Sequence, residues 1–282
     1  MSAIYRSPAG ERAIRDRYRR DLADWPVPVE HRRVPTRQGQ TFTVVCGPRD
    51  APPIVLLHGS GANTTLWRED AAALARRHRV HCVDLIGEPG LSAPSRPPLD
   101  SDALSAWLDE VLDGLGIDGT ALVGASLGGW VALDYAVRRP ERVRALALLC
   151  PGGIGRPATG RILGALLLRL FGAWGARRSV RAMTGLRDPG HREVLDSVQE
   201  TFAGFRPRTE RLPVFSDADL RGLAMPTLVI VGDRDAMFDS RETARRVRAH
   251  VPRGTVTVLP GTGHAILGQG ETLSVFLDEA AG

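Results

Sequence analysis

Residues 120–128 read TALVGASLG, and this stretch decides the fold of the chain. The apolar run at 120–123 predicts a buried strand, and a helix-like stretch follows from Trp130 to Val137. A serine between two glycines at a strand-to-helix turn is the nucleophile-elbow pattern. The turn is so tight that Ser126 takes a strained backbone conformation, and the flanking positions have no room for side chains. The hydroxyl of Ser126 is then held clear of the sheet at a helix N-terminus, where backbone N–H groups favour negative charge.

Strands and helices alternate on both sides of the elbow. Short apolar runs such as 54–57 and 227–231 are typical of strands buried on both faces of a parallel sheet. Strands that alternate with helices predict right-handed βαβ units, and therefore an α/β fold with a mostly parallel, twisted sheet flanked by helices. The predicted strands are 30–34, 41–46, 54–57, 80–83, 120–123, 145–150, 227–231 and 255–259. The predicted helices around them are 11–24, 67–77, 100–115, 129–138, 240–250 and 272–280.

The alternation fails between residues 152 and 222, which contain no convincing strand. Apolar helical stretches at 162–171 and 194–202 are separated there by Gly, Pro and Arg. We therefore expect residues 152–222 to form a helical lid, inserted into a core made of residues 1–151 and 223–282.

Large apolar side chains are concentrated in this expected lid. The patch at 166–168 and 170–171 is expected to cover the active site, with its apolar side lining an acyl pocket, rather than to touch a membrane. Trp67, Trp130 and Trp174 are expected to be packing residues.

Three polar residues stand just after predicted strands, in the order Ser126, Asp235 and His264. In an open α/β sheet, sites form at the carboxyl edge of the strands, so residues far apart in sequence converge there. A serine hydroxyl needs a base to remove its proton, and imidazole titrates near neutrality. A buried carboxylate must hold that imidazole in the correct tautomer. Asp235 is our choice for this carboxylate, and Asp233, which lies nearer to the strand, is the alternative.

A tetrahedral intermediate on Ser126 would need hydrogen-bond donors for its oxyanion. The backbone N–H of Leu127, directly after the serine, is expected to be one donor. The second is expected from the loop at the end of an earlier strand, from the N–H of Ser60 or else that of Gly61. His58 in the same loop is expected to be structural, with its ring hydrogen-bonded to neighbouring loops.

Six short pieces of the chain match the pattern of one superfamily. They are LLHG at 56–59, VDLIG at 83–87, GASLGG at 124–129, RPERV at 139–143, VGDRD at 231–235 and GH at 263–264. On these pieces the chain resembles the alpha/beta-hydrolase superfamily over nearly its whole length. The last aspartate of the Gly-x-x-Asp piece is the usual catalytic acid in relatives, which favours Asp235. The segment DLIGE at 84–88 and the N-terminal helix look like small carboxylesterases.

One departure from the superfamily pattern concerns the loop after Asp84. Many relatives carry Gly-His-Gly after this strand aspartate, whereas the loop here reads GEPG at 87–90. Asp84 is expected to be structural and to anchor the loop through backbone hydrogen bonds.

The three residues and the resemblance together predict a serine hydrolase. It would cleave a small-molecule carboxylic ester, or a related carbonyl compound, through an acyl-enzyme. One alternative is a biosynthetic enzyme that runs lyase, cyclisation or acyl-transfer chemistry on a hydrophobic small molecule. Another is a binding module with an inactive triad, and the presence of all three residues argues against it. Neither a cofactor nor a metal ion is expected.

Composition argues against several other classes of protein. The chain has 282 residues, of which 43% are hydrophobic and 24% charged, typical of a soluble globular protein. All 37 basic residues are Arg and are interleaved with acids, so despite a net charge of +5 we expect no nucleic-acid partner. Three widely spaced cysteines argue against a disulfide framework and a zinc site. Without a secretory pattern or an apolar stretch of spanning length, we expect a cytoplasmic protein with no membrane partner.

Overall fold

The computed structural model of the chain describes residues 4–186 and 191–281, without the side chains at 166, 169 and 173. Eight strands in these residues form one sheet. They are β1 (Glu30–Thr36), β2 (Gly39–Cys46), β3 (Pro53–Leu57), β4 (Arg79–Val83), β5 (Thr120–Ala125), β6 (Val143–Leu149), β7 (Thr227–Gly232) and β8 (Gly254–Leu259). The strand order is β1-β2-β4-β3-β5-β6-β7-β8. β2 pairs antiparallel with β1 and β4, and the other neighbours are parallel, so the predicted mostly parallel sheet is confirmed.

Ten α-helices accompany the sheet in the described part of the chain. They are α1 (Pro8–Ala23), α2 (Arg68–Leu74), α3 (Ala103–Leu115), α4 (Leu127–Arg138), α5 (Thr159–Leu168), α6 (Gly172–Thr184), α7 (Arg192–Gly204), α8 (Asp217–Arg221), α9 (Ser240–His250) and α10 (Gly270–Ala281). The side chain of Ser7 caps the first of them by accepting a hydrogen bond from the N–H of Gly10. Within the described ranges, no helix has the length and apolar character needed to cross a membrane.

The central strands of the sheet are buried on both faces, whereas the edge strands β1 and β8 are partly exposed. In β3, Val55 and Leu57 pack into an apolar cluster with α3, α4 and α9, and the alternate residues Ile54 and Leu56 pack into a second cluster with α2 and α10. Because successive side chains of a strand point to opposite faces, a strand covered on both sides must be apolar throughout. This is why continuous apolar runs, rather than alternating ones, marked the strands in the sequence.

The turn from β5 into α4 has the strained geometry that its glycines permit. Ser126 has φ 51°, in the left-handed region that residues other than glycine rarely adopt. A Cβ added to Gly124 would lie 2.6 Å from the carbonyl carbon of Gly128, and one added to Gly128 would lie 2.5 Å from the carbonyl oxygen of His58. The N–H of Ser126 donates to the carbonyl of Leu149 at 2.9 Å, which ties the turn to β6. The elbow therefore depends on close backbone packing from three sides.

The chain between β6 and β7 is helical in the residues described. The sequence predicted helices near α5 and α7, and it missed α6 and α8. A short 3-10 turn at Arg169–Phe171 ends α5, and Gly172 begins α6 with a positive φ of 66°, so one predicted apolar stretch belongs to two elements. Residues 187–190 and the side chain of Leu166, which belong to the predicted lid and its apolar patch, lie outside the described residues.

Of the four described side chains of the predicted apolar patch, three are exposed and Leu168 is half-buried, contrary to the sequence expectation. Leu167, Leu170 and Phe171 are exposed, and Trp174 is exposed as well, although it was expected to pack. Trp67 and Trp130 are buried as expected. The sequence signal was misleading because helical periodicity shows that apolar side chains share a face but does not show what that face contacts.

Candidate active site

Ser126, His264 and Asp235 meet at the carboxyl edge of the sheet. Nε2 of His264 lies 2.9 Å from Oγ of Ser126, and its Nδ1 lies 2.9 Å from Oδ2 of Asp235. Ser126 follows β5, Asp235 follows β7 and His264 follows β8. Parallel register brings the ends of these strands to one edge, so residues up to 138 positions apart in sequence come within hydrogen-bond distance.

The loop after β7 holds the Asp235 side chain rigidly. Its Oδ1 accepts hydrogen bonds from the N–H groups of Met237 at 2.7 Å and Phe238 at 3.1 Å, which leaves Oδ2 for His264. The Asp235 side chain is only 1% exposed. The alternative acid, Asp233, is exposed. Of the two aspartates, the structure brings Asp235 to the histidine.

The pKa of His264 results from opposing effects. Burial alone lowers the pKa of this imidazole, because the cation loses its hydration. The Cys150 sulfur and the hydrogen-bonded Asp235 carboxylate act in the other direction, and the pKa stands well above the ordinary value of 6.5. Below this raised pKa the ring carries a proton and cannot act as a base, so the neutral imidazole that accepts a proton is present only at higher pH.

The loop after β3 lies against the elbow. A Cβ added to Gly59 would lie 3.4 Å from Cβ of Ser126, so Ser60 directly follows a point of contact with the serine. The N–H of Gly61 donates to Oε2 of Glu88 at 2.6 Å, which occupies the alternative donor for an oxyanion. Among the described residues, the N–H groups of Ser60 and Leu127 have no protein acceptor. Leu127 directly follows the serine in the chain, and Ser60 directly follows Gly59, so these two remain the candidate oxyanion donors.

The site holds a serine, an imidazole and a carboxylate in line, together with free backbone N–H groups. Nucleophilic acyl chemistry requires these parts. A family model described as "Alpha/beta hydrolase family" matches residues 54–274. The chain belongs to the alpha/beta hydrolase family. It is an enzyme of this family, and it is similar to bacterial carboxylesterases.

Three similar proteins support the similarity to bacterial hydrolases. Carboxylesterase YbfK of Bacillus subtilis (strain 168) is 29% identical over 256 residues, which covers 88% of this chain and 86% of that protein. The crystal structure of naproxen esterase (carboxylesterase NP) from Bacillus subtilis matches with a TM-score of 0.82 and 28% identity, over 95% of this chain and 96% of that one. The crystal structure of a putative hydrolase from Bacillus subtilis matches with a TM-score of 0.86 and 27% identity, over 98% and 100% of the two chains.

Cys150 is a neighbour of this hydrolase's site that the sequence counted only as one of three widely spaced cysteines. It is buried, it follows β6 with a positive φ of 39°, and its Sγ donates to the backbone carbonyl of His264 at 2.8 Å. The ligand-type atoms of Cys150, Asp235 and His264 lie within 4.8 Å of one another. Nδ1 of His264 and Oδ2 of Asp235 are hydrogen-bonded to each other, so an ion bound there would displace the proton that orients the imidazole. Cys150 could have been found from its place at the end of a strand beside β5.

Glu88 is a second residue that the sequence did not single out. It is 1% exposed, and its Oε2 accepts hydrogen bonds from the N–H of Gly61 and, at 3.2 Å, from the hydroxyl of Ser60. Its other oxygen, Oε1, is buried without a partner among the described residues. Burial raises the pKa of Glu88 to about 7, although the hydrogen bond from Gly61 and the charge of Arg96 lower it. The unusual residue at position 88 thus fixes the loop after β3.

His58 and Asp84 hold the same loops from behind. His58 is fully buried: its Nδ1 lies 2.9 Å from the carbonyl of Gly59, and its Nε2 accepts from the N–H of Leu85 at 3.0 Å. Burial lowers the pKa of His58 to about 4, so the ring is neutral. Asp84 accepts hydrogen bonds from the N–H groups of Thr64 and Leu91. These bonds are the structural contacts that the sequence assigned to both residues.

Glu88→Gln is expected to stabilise the protein at alkaline pH. Because the pKa of Glu88 is raised from 4.5 to about 7, its contribution to stability is complete below pH 4.5 and is lost as the pH rises through 7. The amide keeps an oxygen acceptor for Gly61 and carries no charge. The free energies of unfolding of the variant and the wild type are measured by urea denaturation. The difference between them should change in favour of the variant by on the order of 3 kcal/mol between pH 4.5 and about 8.

The matched control is Glu279→Gln on α10, where the carboxylate is exposed. The difference in free energy of unfolding between this control and the wild type should change little with pH. A Glu88→Gln difference that is equally independent of pH would contradict the assignment of a buried carboxylate with a raised pKa.

Proposed function

We propose that this alpha/beta hydrolase cleaves carboxylic esters through an acyl-enzyme on Ser126. The observation that carries the proposal is the unbroken line from Oγ of Ser126 through the His264 ring to Oδ2 of Asp235, with both contacts at 2.9 Å. The carboxylesterase names of YbfK and naproxen esterase support the same class of substrate. The geometry and the names of these relatives both support a small-molecule ester as the substrate.

In the first half-reaction, His264 removes the proton of Ser126 as its Oγ attacks the ester carbonyl. Asp235 accepts the Nδ1 proton in a hydrogen bond, which leaves Nε2 free to act as the base and stabilises the imidazolium that forms. The backbone N–H groups of Leu127 and Ser60 hold the oxyanion of the tetrahedral intermediate. The N-terminus of α4, directly behind the elbow, adds a favourable dipole.

The proton on His264 then passes to the leaving alcohol, which ends the first half-reaction with the acyl group on Ser126, and the second half-reaction removes that acyl group. The same imidazole then takes a proton from water, the hydroxide attacks the acyl carbonyl, and a second oxyanion forms in the same place. Collapse of this intermediate returns the proton to Ser126 and releases the carboxylic acid. Each proton moves along one pair of hydrogen-bonded atoms, so the cycle needs no other acid or base.

Ser126→Ala is expected to remove ester hydrolysis while leaving the fold intact. Without the oxygen nucleophile, kcat on simple aryl esters should fall by about 10⁴-fold or more, because the triad acts as a unit. Circular dichroism and the melting temperature should stay close to those of the wild type. Retained turnover would remove Ser126 from the reaction.

The same assay separates hydrolysis from the biosynthetic alternative. Wild-type protein that is labelled at Ser126 by a fluorophosphonate but turns over no aryl ester would contradict ester hydrolysis. It would point to lyase, cyclisation or acyl-transfer chemistry on the same residues.

The rate is expected to rise with pH through the titration of His264. Because the pKa of His264 is raised, kcat/KM should show its inflection above pH 6.5, and activity should fall below it as the imidazole becomes protonated. Asp235→Asn should lower kcat on the order of 10⁴-fold, since the tautomer is no longer held, and should move the inflection of the residual activity to lower pH. The pH–rate profiles of both proteins provide the measurement.

Asp233→Asn is the matched control, since Asp233 is exposed two residues away. Its rate and its inflection should match those of the wild type. An Asp233→Asn variant more impaired than Asp235→Asn would exchange the two assignments.

A further inference from the structure

The helical segment after β6 carries an exposed apolar surface. Five of the eight large hydrophobic side chains that are exposed in the described residues lie on α5, the 3-10 turn and α6. We name them the outer apolar surface: Leu163 (57% exposed), Leu167 (52%), Leu170 (80%), Phe171 (68%) and Trp174 (63%). Exposed apolar side chains that occur singly are ordinary, whereas a cluster of this kind marks an interaction site.

The packing of α5 and α6 shows that this exposure is a property of the whole helix pair. Among the described side chains of the pair, the residues that are fully buried are small, namely Ala165 on α5 and Gly175 and Ser179 on α6, and Ile162, Leu168 and Val180 are half-buried. A Cβ at Gly175 would collide with the carbonyl oxygen of Leu168, so the two elements meet backbone to backbone. Small residues thus make the closest contact between the two helices, while five large apolar side chains of the pair and its connecting turn are exposed.

The chain segment that carries the surface has charge of one sign, whereas α7, which packs against α6, carries the exposed acids Glu193, Asp196 and Glu200. Residues 151–187 contain no Asp or Glu and seven arginines, namely Arg156, Arg161, Arg169, Arg177, Arg178, Arg181 and Arg187. Arg177, Arg178 and Arg181 are exposed on α6, and the guanidinium of Arg178 lies 5.5 Å from the centre of the Trp174 ring. A partner that is both apolar and anionic would complement the five apolar side chains and the arginines of α6.

We propose that the outer apolar surface docks this enzyme onto the surface of an anionic lipid bilayer. Helices that lie in a bilayer interface combine Leu, Phe and Trp on one side with Arg at its border, because the apolar side chains enter the headgroup–acyl boundary and the guanidinium groups bind lipid phosphates. The partner is a membrane surface, which the sequence alone led us not to expect.

A second copy of the chain fits this surface less well. A symmetric dimer would place the same patch on both subunits, and the arginines of α6 would then face each other with like charges. An anionic bilayer covers the five apolar side chains and also neutralises these arginines.

The surface lies on elements that contact the candidate active site. Arg161 of α5 donates to the backbone carbonyl of Asp235 at 2.8 Å, and Gly185, at the end of α6, packs against Gly263, next to His264. A docked bilayer would therefore stand beside the loops that carry the acid and the base. If the proposed ester hydrolysis holds, the substrates delivered there are lipid-like esters that partition into the membrane.

Vesicle co-sedimentation tests the docking directly. The full chain is mixed with vesicles of phosphatidylcholine and phosphatidylglycerol, and in parallel with vesicles of phosphatidylcholine alone. We expect at least tenfold stronger binding to the anionic vesicles, and we expect this preference to weaken as the salt concentration rises. Equal or absent binding to the two kinds of vesicle would overturn the proposal.

Variants at the surface identify the apolar and the charged contributions. Two double variants should each weaken binding at least tenfold while keeping the melting temperature of the wild type. They are Leu170→Ser/Phe171→Ser and Arg177→Glu/Arg178→Glu. The matched controls are Val275→Ser on α10 and Arg245→Glu/Arg248→Glu on α9, which change exposed residues outside the patch and should bind like the wild type. Controls that lose as much binding as the surface variants would contradict the assignment of this face.

Two further measurements separate bilayer docking from ester hydrolysis and from self-association. Ser126→Ala should bind the vesicles like the wild type, so binding is measured independently of turnover, and failure of ester hydrolysis leaves the docking result interpretable. Analytical ultracentrifugation tests the alternative occupant. The wild type could instead bind no vesicles and form a dimer that the Leu170→Ser/Phe171→Ser substitutions dissociate. In that case the partner of the surface is a second copy of the chain and not a bilayer.

Discussion

The strained backbone at Ser126 is the constraint on which the rest of the site depends. A φ of 51° is unfavourable for a serine and persists because the surrounding backbone leaves no other path. Gly124 and Gly128 permit that packing, since a Cβ at either position would run into backbone atoms. The same geometry directs Oγ out of the sheet and places the N–H of Leu127 beside it. The nucleophile and one proposed oxyanion donor are therefore positioned by a single turn.

Parallel strand register connects this turn to the other functional groups. β3, β5, β6, β7 and β8 end at one edge, so the loops that carry Ser60, Asp235 and His264 need little length to converge on Ser126. Buried polar groups then fix each loop. Glu88 holds the loop after β3, and the backbone N–H groups after Asp235 hold its carboxylate. Low solvent exposure makes these hydrogen bonds stronger and makes their loss more costly.

The sequence predicted those features of the structure that require particular residue types locally. It was less informative about features that depend on contacts between distant segments. Buried parallel strands and the elbow could be predicted, because few local structures require continuous apolar runs or a serine flanked by glycines. Glu88 was missed, since a carboxylate in a loop is normally solvated and only the fold shows that this one is buried. Cys150 was missed as well, because the spacing of the three cysteines does not show that one of them lies beside His264. The outward face of α5 and α6 was misread, because periodicity does not reveal that Gly175 and Ser179 supply the inner contact.

The central claim is that Ser126 forms a covalent acyl intermediate. Mass spectrometry of acid-quenched protein, taken during turnover of an activated aryl ester and followed by peptide mapping, tests it most directly. We expect a mass increase equal to one acyl group, located on the peptide that contains Ser126 and absent when the substrate is omitted. Hydrolysis of the ester with no adduct on that peptide, or with an adduct on another residue, would contradict it.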